Sequence, residues 1–205
     1  MTTKISKKAL EWAVIFGFLC SVFWSFADFN ASCDELRNNV LRLHIIANSD
    51  SREDQTLKLQ IRDRILKESN TFFEKSTDLN SALKKAEENL SEYEKIANLV
   101  IAEKGLPYKA KAKIGKSFFE TRVYDDFTLP AGEYDALILE IGEAEGKNWW
   151  CVIFPGVCVP TDNDATLSDS VSEKSAKIAE NPRPYKIRFK SVEIYEKLKK
   201  KIKNT

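Results

Sequence analysis

His44 is the single histidine of the chain, and Ser49-Asp50 follows closely behind it. A histidine titrates near neutral pH and suits general-base work, and a serine and an aspartate nearby raise a nucleophile–base–acid set. No GxSxG elbow accompanies them, and Ser49-Asp50 equally suits a helix cap, so His44 reads as a structural or partner-facing residue. Asp125-Asp126 offers two carboxylates, but neighbours on a strand or turn point apart. Asp162-Asn163-Asp164 has the opening spacing of a calcium loop without its glycine or distal glutamate. Cys151 and Cys158 enclose Pro155-Gly156 and form a candidate disulfide; the alternative is two small thiols buried on a core strand. A tight Pro-Gly turn would set them half a step out of register, whereas a looser reversal lets them meet. Neither has the CxxC spacing of a redox pair. Trp149-Trp150 places two large aromatics on opposite faces of one strand. Both can pack internally, or one can fill the core while the other is offered to a partner.

Composition narrows the chemistry further. In 205 residues there are 32 Lys and Arg against 31 Asp and Glu, so no basic excess marks a nucleic-acid binder. Hydrophobic residues make up 43%, enough for a folded domain. Seven glycines occur, never as GxGxxG or GxxxxGK[ST], so no phosphate-cradling loop is present, and no cofactor is expected.

The N-terminus differs from the rest. Lys4, Lys7 and Lys8 precede the uncharged run from Ala13 to Ala27, with small residues at Ser25 and Ala27. This is the form of a secretory signal with cleavage after Ala27. As a helix at ~1.5 Å per residue the run covers roughly 22 Å, short of a ~30 Å hydrocarbon core, and counting from Ala9 lengthens it at the expense of including Glu11. Residues 1–27 are therefore a signal peptide or an N-terminal membrane anchor, with a buried core helix as the third reading. In either of the first two cases the lysines stay cytoplasmic and the rest is exported, with membrane contact through the N-terminal segment. Asn30-Ala31-Ser32 before Cys33 lacks the aliphatic residue of a lipoprotein site.

The exported part must position these groups. Val40–Ile46 is a β-rich run, and Ala47 to Ser51 punctuates it. Leu57, Ile61 and Ile65 predict a helix to about Asn70, and a second runs from Asp78 to Gly105. Lys109, Lys111 and Lys113 alternate with apolar residues on a half-buried strand that turns at Gly115-Lys116-Ser117 into a partner over Phe118–Tyr124. Ala136–Ile141 and Trp149–Phe154 read as central strands. The expected fold is α+β, with two amphipathic helices packed on a mainly antiparallel sheet, over residues 28–160. Residues 161–184 read as a polar linker. Residues 185–205 read as a strand, Tyr185–Phe189, and a basic helix capped by Ser191. The lysines from Lys197 to Lys203 either meet the negative helix end or attract an anionic membrane surface.

Two longer strings carry a resemblance. Leu41-Arg-Leu-His-Ile-Ile-Ala-Asn-Ser-Asp-Ser51 with Glu53-Asp-Gln55, Leu57-Lys-Leu59 and Arg62-Asp63 comes first. Leu129-Pro-Ala-Gly-Glu-Tyr134, Ile141-Gly142 and Asn148-Trp-Trp-Cys-Val-Ile-Phe-Pro155 follow, closing at Cys158. In this order they resemble the stage II sporulation protein R family over residues 36–159. Pro155-Gly156-Val157 departs from it where Pro-Pro and a bulkier residue are expected, and the C-terminal 45 residues match poorly. The resemblance implies a signalling protein rather than an enzyme. It would be exported from the forespore into the space between the septal membranes, there to trigger a membrane-embedded aspartic-type peptidase on the mother-cell side that processes pro-sigma-E. His44, Asn48, Asp50, Trp149 and Trp150 are then the candidate partner-facing or face-supporting residues. The alternatives are a secreted hydrolase using His44 and a membrane- or wall-associated binding module.

Overall fold

The structure, a computed structural model, describes residues 7–73, 76–124, 127–156 and 170–203, with the side chains of 69–71 left aside. It is α+β, built on a four-stranded, mainly antiparallel sheet. Helix α1 (Lys7–Arg37) leads into β1 (Leu41–Ile46) and then α2 (Arg52–Phe73), α3 (Leu79–Glu88) and α4 (Leu90–Glu103). Next come β2 (Ala110–Phe119), a small hairpin of β3 (Arg122–Val123) and β4 (Thr128–Leu129), β5 (Gly132–Ile141) and β6 (Asn148–Phe154). Helix α5 (Glu173–Glu180), a 3-10 turn at Arg183–Tyr185 and helix α6 (Lys186–Lys203) complete it.

The sheet order is β2-β5-β1-β6. Strand β1 lies in the interior, parallel to β5 and antiparallel to β6, with His44 opposite Ile138 and Trp150. Alternation along β1 divides the molecule into layers. Leu41, Leu43 and Ile45 face α2, α3 and α4 in one core, with Leu57, Ile61, Ile65, Ala86 and Tyr93. The opposite sheet face meets Leu36 of α1, Ala179 of α5 and the small hairpin through Phe127 and Leu129.

Several local expectations change. The helix expected from Asp78 to Gly105 is divided at Asn89, whose φ of −103° and ψ of 11° leave the helical region. Asp78 does cap its start, accepting a hydrogen bond from the Ser81 N–H. Gly115 does not turn the chain: β2 continues through it, paired residue for residue with β5 from Ala110–Ile141 to Phe119–Gly132. Two of its lysines are partnered across the sheet, Lys113 with Glu140 at 2.5 Å and Lys116 with Asp135 at 2.8 Å. Within the stretch read as a linker, residues 173–180 form α5. Ser172 caps it, and Ala176, Ile178 and Ala179 bury against α1 and its neighbours. Tyr185–Phe189 is helical rather than a strand, because Phe189 and Val192 reach the same core as Phe29 and Cys33 only at helical spacing.

Helix α1 is long and apolar enough to cross a membrane. Its residues from Lys7 to Trp24 are almost all exposed, which removes the buried-core-helix reading. Its C-terminal part is different: Phe29, Cys33, Leu36 and Arg37 are buried in the domain. Arg37 donates to the Ala131 carbonyl and to Asp34, both at 2.7 Å, and pairs with Glu196 at 3.7 Å. Glu35 accepts from the Ser172 N–H, the Ser172 hydroxyl and the Ser175 hydroxyl, tying α1 to the start of α5.

Candidate functional site

The residues singled out from sequence gather at one end of the sheet, where β1 runs into the 47–51 loop and β6 begins. His44 is half-buried. Its Nε2 lies 2.9 Å from Asn148 Oδ1 and its Nδ1 3.0 Å from Ser117 Oγ. The amide oxygen needs a donor, so the proton sits on Nε2 and Nδ1 accepts from the Ser117 hydroxyl. Burial pushes the His44 pKa below the ordinary histidine range, against the opposing pull of Asn148 and Glu140. The imidazole is therefore neutral, held between two polar partners and flanked by Phe119 and Trp150 at ring separations of 6.0 and 6.1 Å.

The set imagined from His44, Ser49 and Asp50 does not assemble. Ser49 donates to Asp54 Oδ2 at 2.6 Å, and Asp50 accepts from the Lys147 N–H at 2.7 Å. The serine at His44 is Ser117, which arrives from β2 on the far side of β5. Asn148 takes the orienting position, and an amide cannot stabilise an imidazolium as a carboxylate does.

Asn48 and Asp50 serve instead to join two loops. Asn48 donates to Asp54 Oδ2 at 2.9 Å and accepts from the Glu143 N–H at 3.0 Å. Backbone bonds from Glu145 to Asn48 O and from Gly146 to Ala47 O close the same seam. Asp54 is the hub of this seam. Burial works against its carboxylate, but donors from Ser49, Tyr108, Asn48 and Ser51 prevail and hold its pKa below the usual carboxylate value. Lys58 spans the seam as well, donating to Gln55 Oε1 at 2.6 Å and the Lys147 carbonyl at 2.8 Å.

The tryptophans take opposite faces, as strand alternation predicts, and both are half-buried. Trp149 faces the α2 layer under Arg62, whose guanidinium carbon lies 4.2 Å from its ring centre. Trp150 faces the other way beneath Arg122, at 5.0 Å. Their indole N–H groups have no hydrogen-bond partner among the described residues. Trp150, Arg122, Thr121 and Phe119 line a cavity of about 400 Å³ with Arg42 at its floor. Arg42 is fully buried, 4.0 Å from the Phe119 ring centre, and donates to Tyr124 Oη at 2.5 Å.

Among the cysteines, Cys20 and Cys33 are free and Cys151 is disulfide-bonded. Cys158 lies outside the described residues, as do Asp125, Asp126, Asp162 and Asp164. Among the described residues, no three His, Cys, Asp or Glu side chains gather as metal ligands.

Comparison with known proteins covers this region. The family model for Stage II sporulation protein R matches residues 37–164. A protein of Bacillus subtilis (strain 168) named Stage II sporulation protein R is 34% identical over 150 residues, covering 73% of this chain and 66% of its own length. The chain thus spans just under two thirds of the curated relative it matches. No solved structure matches. The matched stretch holds β1, the Asn48–Asp54 seam and the Trp149-Trp150 strand together, and the chain belongs to the stage II sporulation protein R family.

Proposed function

We propose that this protein is an exported, non-enzymatic sporulation signal that activates a membrane-embedded aspartic-type peptidase on the mother-cell side, leading to processing of pro-sigma-E. The family carries the sporulation role, and one structural observation favours a binding role at this end of the sheet. Trp150 is half-buried on β6 under Arg122, at the mouth of the cavity that Thr121 and Phe119 line with it, while Trp149 packs on the opposite face under Arg62. Aromatics and arginines of this kind are the usual anchors of a protein interface. The Asn48–Asp54 seam and the His44–Asn148 bond hold that end in place. Activation requires that the peptidase's active arrangement bind this face more tightly than its inactive one. The protein acts from the space between the septal membranes, with α1 in the forespore membrane or removed after Ala27. A Cys151–Cys158 bridge would close the end of β6.

The test adds the full-length protein in vesicles to membranes carrying the peptidase and its precursor, and follows precursor length. Shortening that needs the peptidase's own catalytic aspartate is expected. Trp150→Ala and Arg122→Ala should weaken it while circular dichroism stays unchanged. Shortening that survives both substitutions would place the contact elsewhere.

The Ser117–His44 hydrogen bond supports a second reading, a hydrolase with Ser117 as nucleophile. In that case shortening would persist with an inactive peptidase and be abolished by Ser117→Ala.

A further inference from the structure

Helix α6 has two apolar faces, and the core uses only one. Phe189 and Val192 point inward to Phe29, Cys33 and Ile178. On the other side Ile187 is 84% exposed, Ile194 52%, Leu198 57% and Ile202 77%. At about 100° per residue these four fall within one sector of about 80°, facing away from Val192 and Glu196. A row of large aliphatics pointing away from the protein along a whole helix needs a partner.

Three observations identify it. First, α6 lies beside the point where α1 leaves the domain: Tyr195 packs edge-on against Phe26 at 6.1 Å, next to the uncharged run of α1. Whatever surrounds the exposed part of α1 therefore begins at the level of α6. Second, α6 carries eight basic residues and two acidic ones. Both acids are turned inward, Glu193 and Glu196 being only 13% and 7% exposed and engaged by Lys190, Lys197, Lys199 and Arg37. Third, the lysines and arginine border the aliphatic row on both sides, with Lys190, Lys197 and Lys201 along one flank and Arg188 and Lys199 along the other. This is the pattern of a helix lying in the plane of an anionic membrane surface, with long basic side chains reaching the headgroups.

We infer that α6 lies in the interface of the anionic bilayer that α1 enters, with Ile187, Ile194, Leu198 and Ile202 in the acyl boundary. The inference rests on α1 being membrane-inserted and is independent of any peptidase. Such a face sits about 5–10 Å into the boundary between headgroups and acyl chains. With α1 it gives the domain two contacts with one membrane, which fixes its tilt as well as its position.

The full chain, with Cys20→Ser and Ile194→Cys carrying an environment-sensitive fluorophore, is reconstituted into vesicles of phosphatidylglycerol and phosphatidylcholine. A second preparation carries the label at Glu87→Cys on α3, a surface position in the opposite layer. The label at 194 should emit blue-shifted light and lose most of its fluorescence to bromine-labelled acyl chains. The label at 87 should do neither, and the shift at 194 should shrink in pure phosphatidylcholine or high salt. Ile187→Ser with Leu198→Ser should reduce the quenching without unfolding the domain, since both residues are exposed. Flotation after an alkaline wash reads insertion of α1 separately. A protein that floats while its label at 194 behaves like that at 87 overturns the inference. So does a label that becomes protected only when peptidase-bearing membranes are added, which would assign the face to a protein. A protein that fails to float removes the inserted α1 on which the inference stands.

Discussion

Asn48 Oδ1 occupies the space that a side chain at position 142 would need: a Cβ on Gly142 would lie 2.1 Å from it. The same oxygen accepts from the Glu143 N–H, and Gly142 holds a φ of +59°. Gly142→Ala therefore meets both backbone strain and a collision, and should lower stability by about 2 kcal/mol or more. Asn48→Ala relieves the collision but loses the bonds to Asp54 and Glu143. The double variant should lose less than the two single losses combined, which denaturant unfolding of all four proteins would measure.

Asp54 receives four side-chain donors while nearly enclosed. Its folded pKa lies below the unfolded value of about 3.9, so its contribution is present above that value and disappears as pH falls through the folded one. Asp54→Asn turns an acceptor towards the donors of Ser49 and Asn48 into a donor, and should lower stability at pH 7 by about 2–3 kcal/mol. The variant should also show a flatter loss of stability on acidification below pH ~4 than the parent. An unchanged acid limb would remove Asp54 from this role.

His44 works in a different pH window with the same sign. Its folded pKa lies below the unfolded value of about 6.5, so the unfolded chain binds the proton more readily, and stability declines as pH drops from that value towards the folded pKa. The ring protons followed by NMR should titrate below the histidine reference, with Nδ1 unprotonated at neutral pH. Ser117→Ala leaves Nδ1 without its donor and should change that nitrogen's shift while the sheet amides stay in place.

Arg42 is a guanidinium buried on the floor of a cavity, among aromatic rings and the Tyr124 hydroxyl, and burial lowers its pKa. Removing a charge from an enclosed site while keeping its volume is often neutral or stabilising. Arg42→Met should keep the thermal midpoint or raise it, whereas Arg42→Ala should lower stability by about 3 kcal/mol through the space it leaves. Equal losses in both would mean that the charge itself holds Phe119, Tyr124 and Tyr134 together.

How much of this was readable depended on how far apart the partners lie in the chain. Leu57, Ile61 and Ile65 repeat at helical spacing and are all buried as that spacing requires. The α+β layering also follows from local pattern. Gly115 misled because glycine usually marks a turn, yet ten residues of pairing to β5 carry the strand through it. Ser117 carried no mark of its relation to His44, since the two meet only after β5 and β1 come together. Asp54 carried no mark of its role as a hub, because Tyr108 comes to it from 54 residues away, where local spacing does not reach. Residues 173–180 looked polar because Ala176, Ile178 and Ala179 form a small stripe, and α1 supplies what covers it. The family strings, by contrast, lay in the sequence intact, and they fall on the two loops that Asn48 and Asp50 bind together.

Strand β1 comes early in the chain but takes both of its neighbours from late segments, Leu41 pairing with Asp135 on one side and Phe154 on the other. A chain made from its N-terminus onward has α2, α3 and α4 in hand long before the sheet they cover can close. Pairings between distant segments form slowly, because loop closure must come before any contact is gained. Such an order of strands keeps the sheet open until nearly the whole domain has been made, and makes the arrival of β6 the event that sets its final shape.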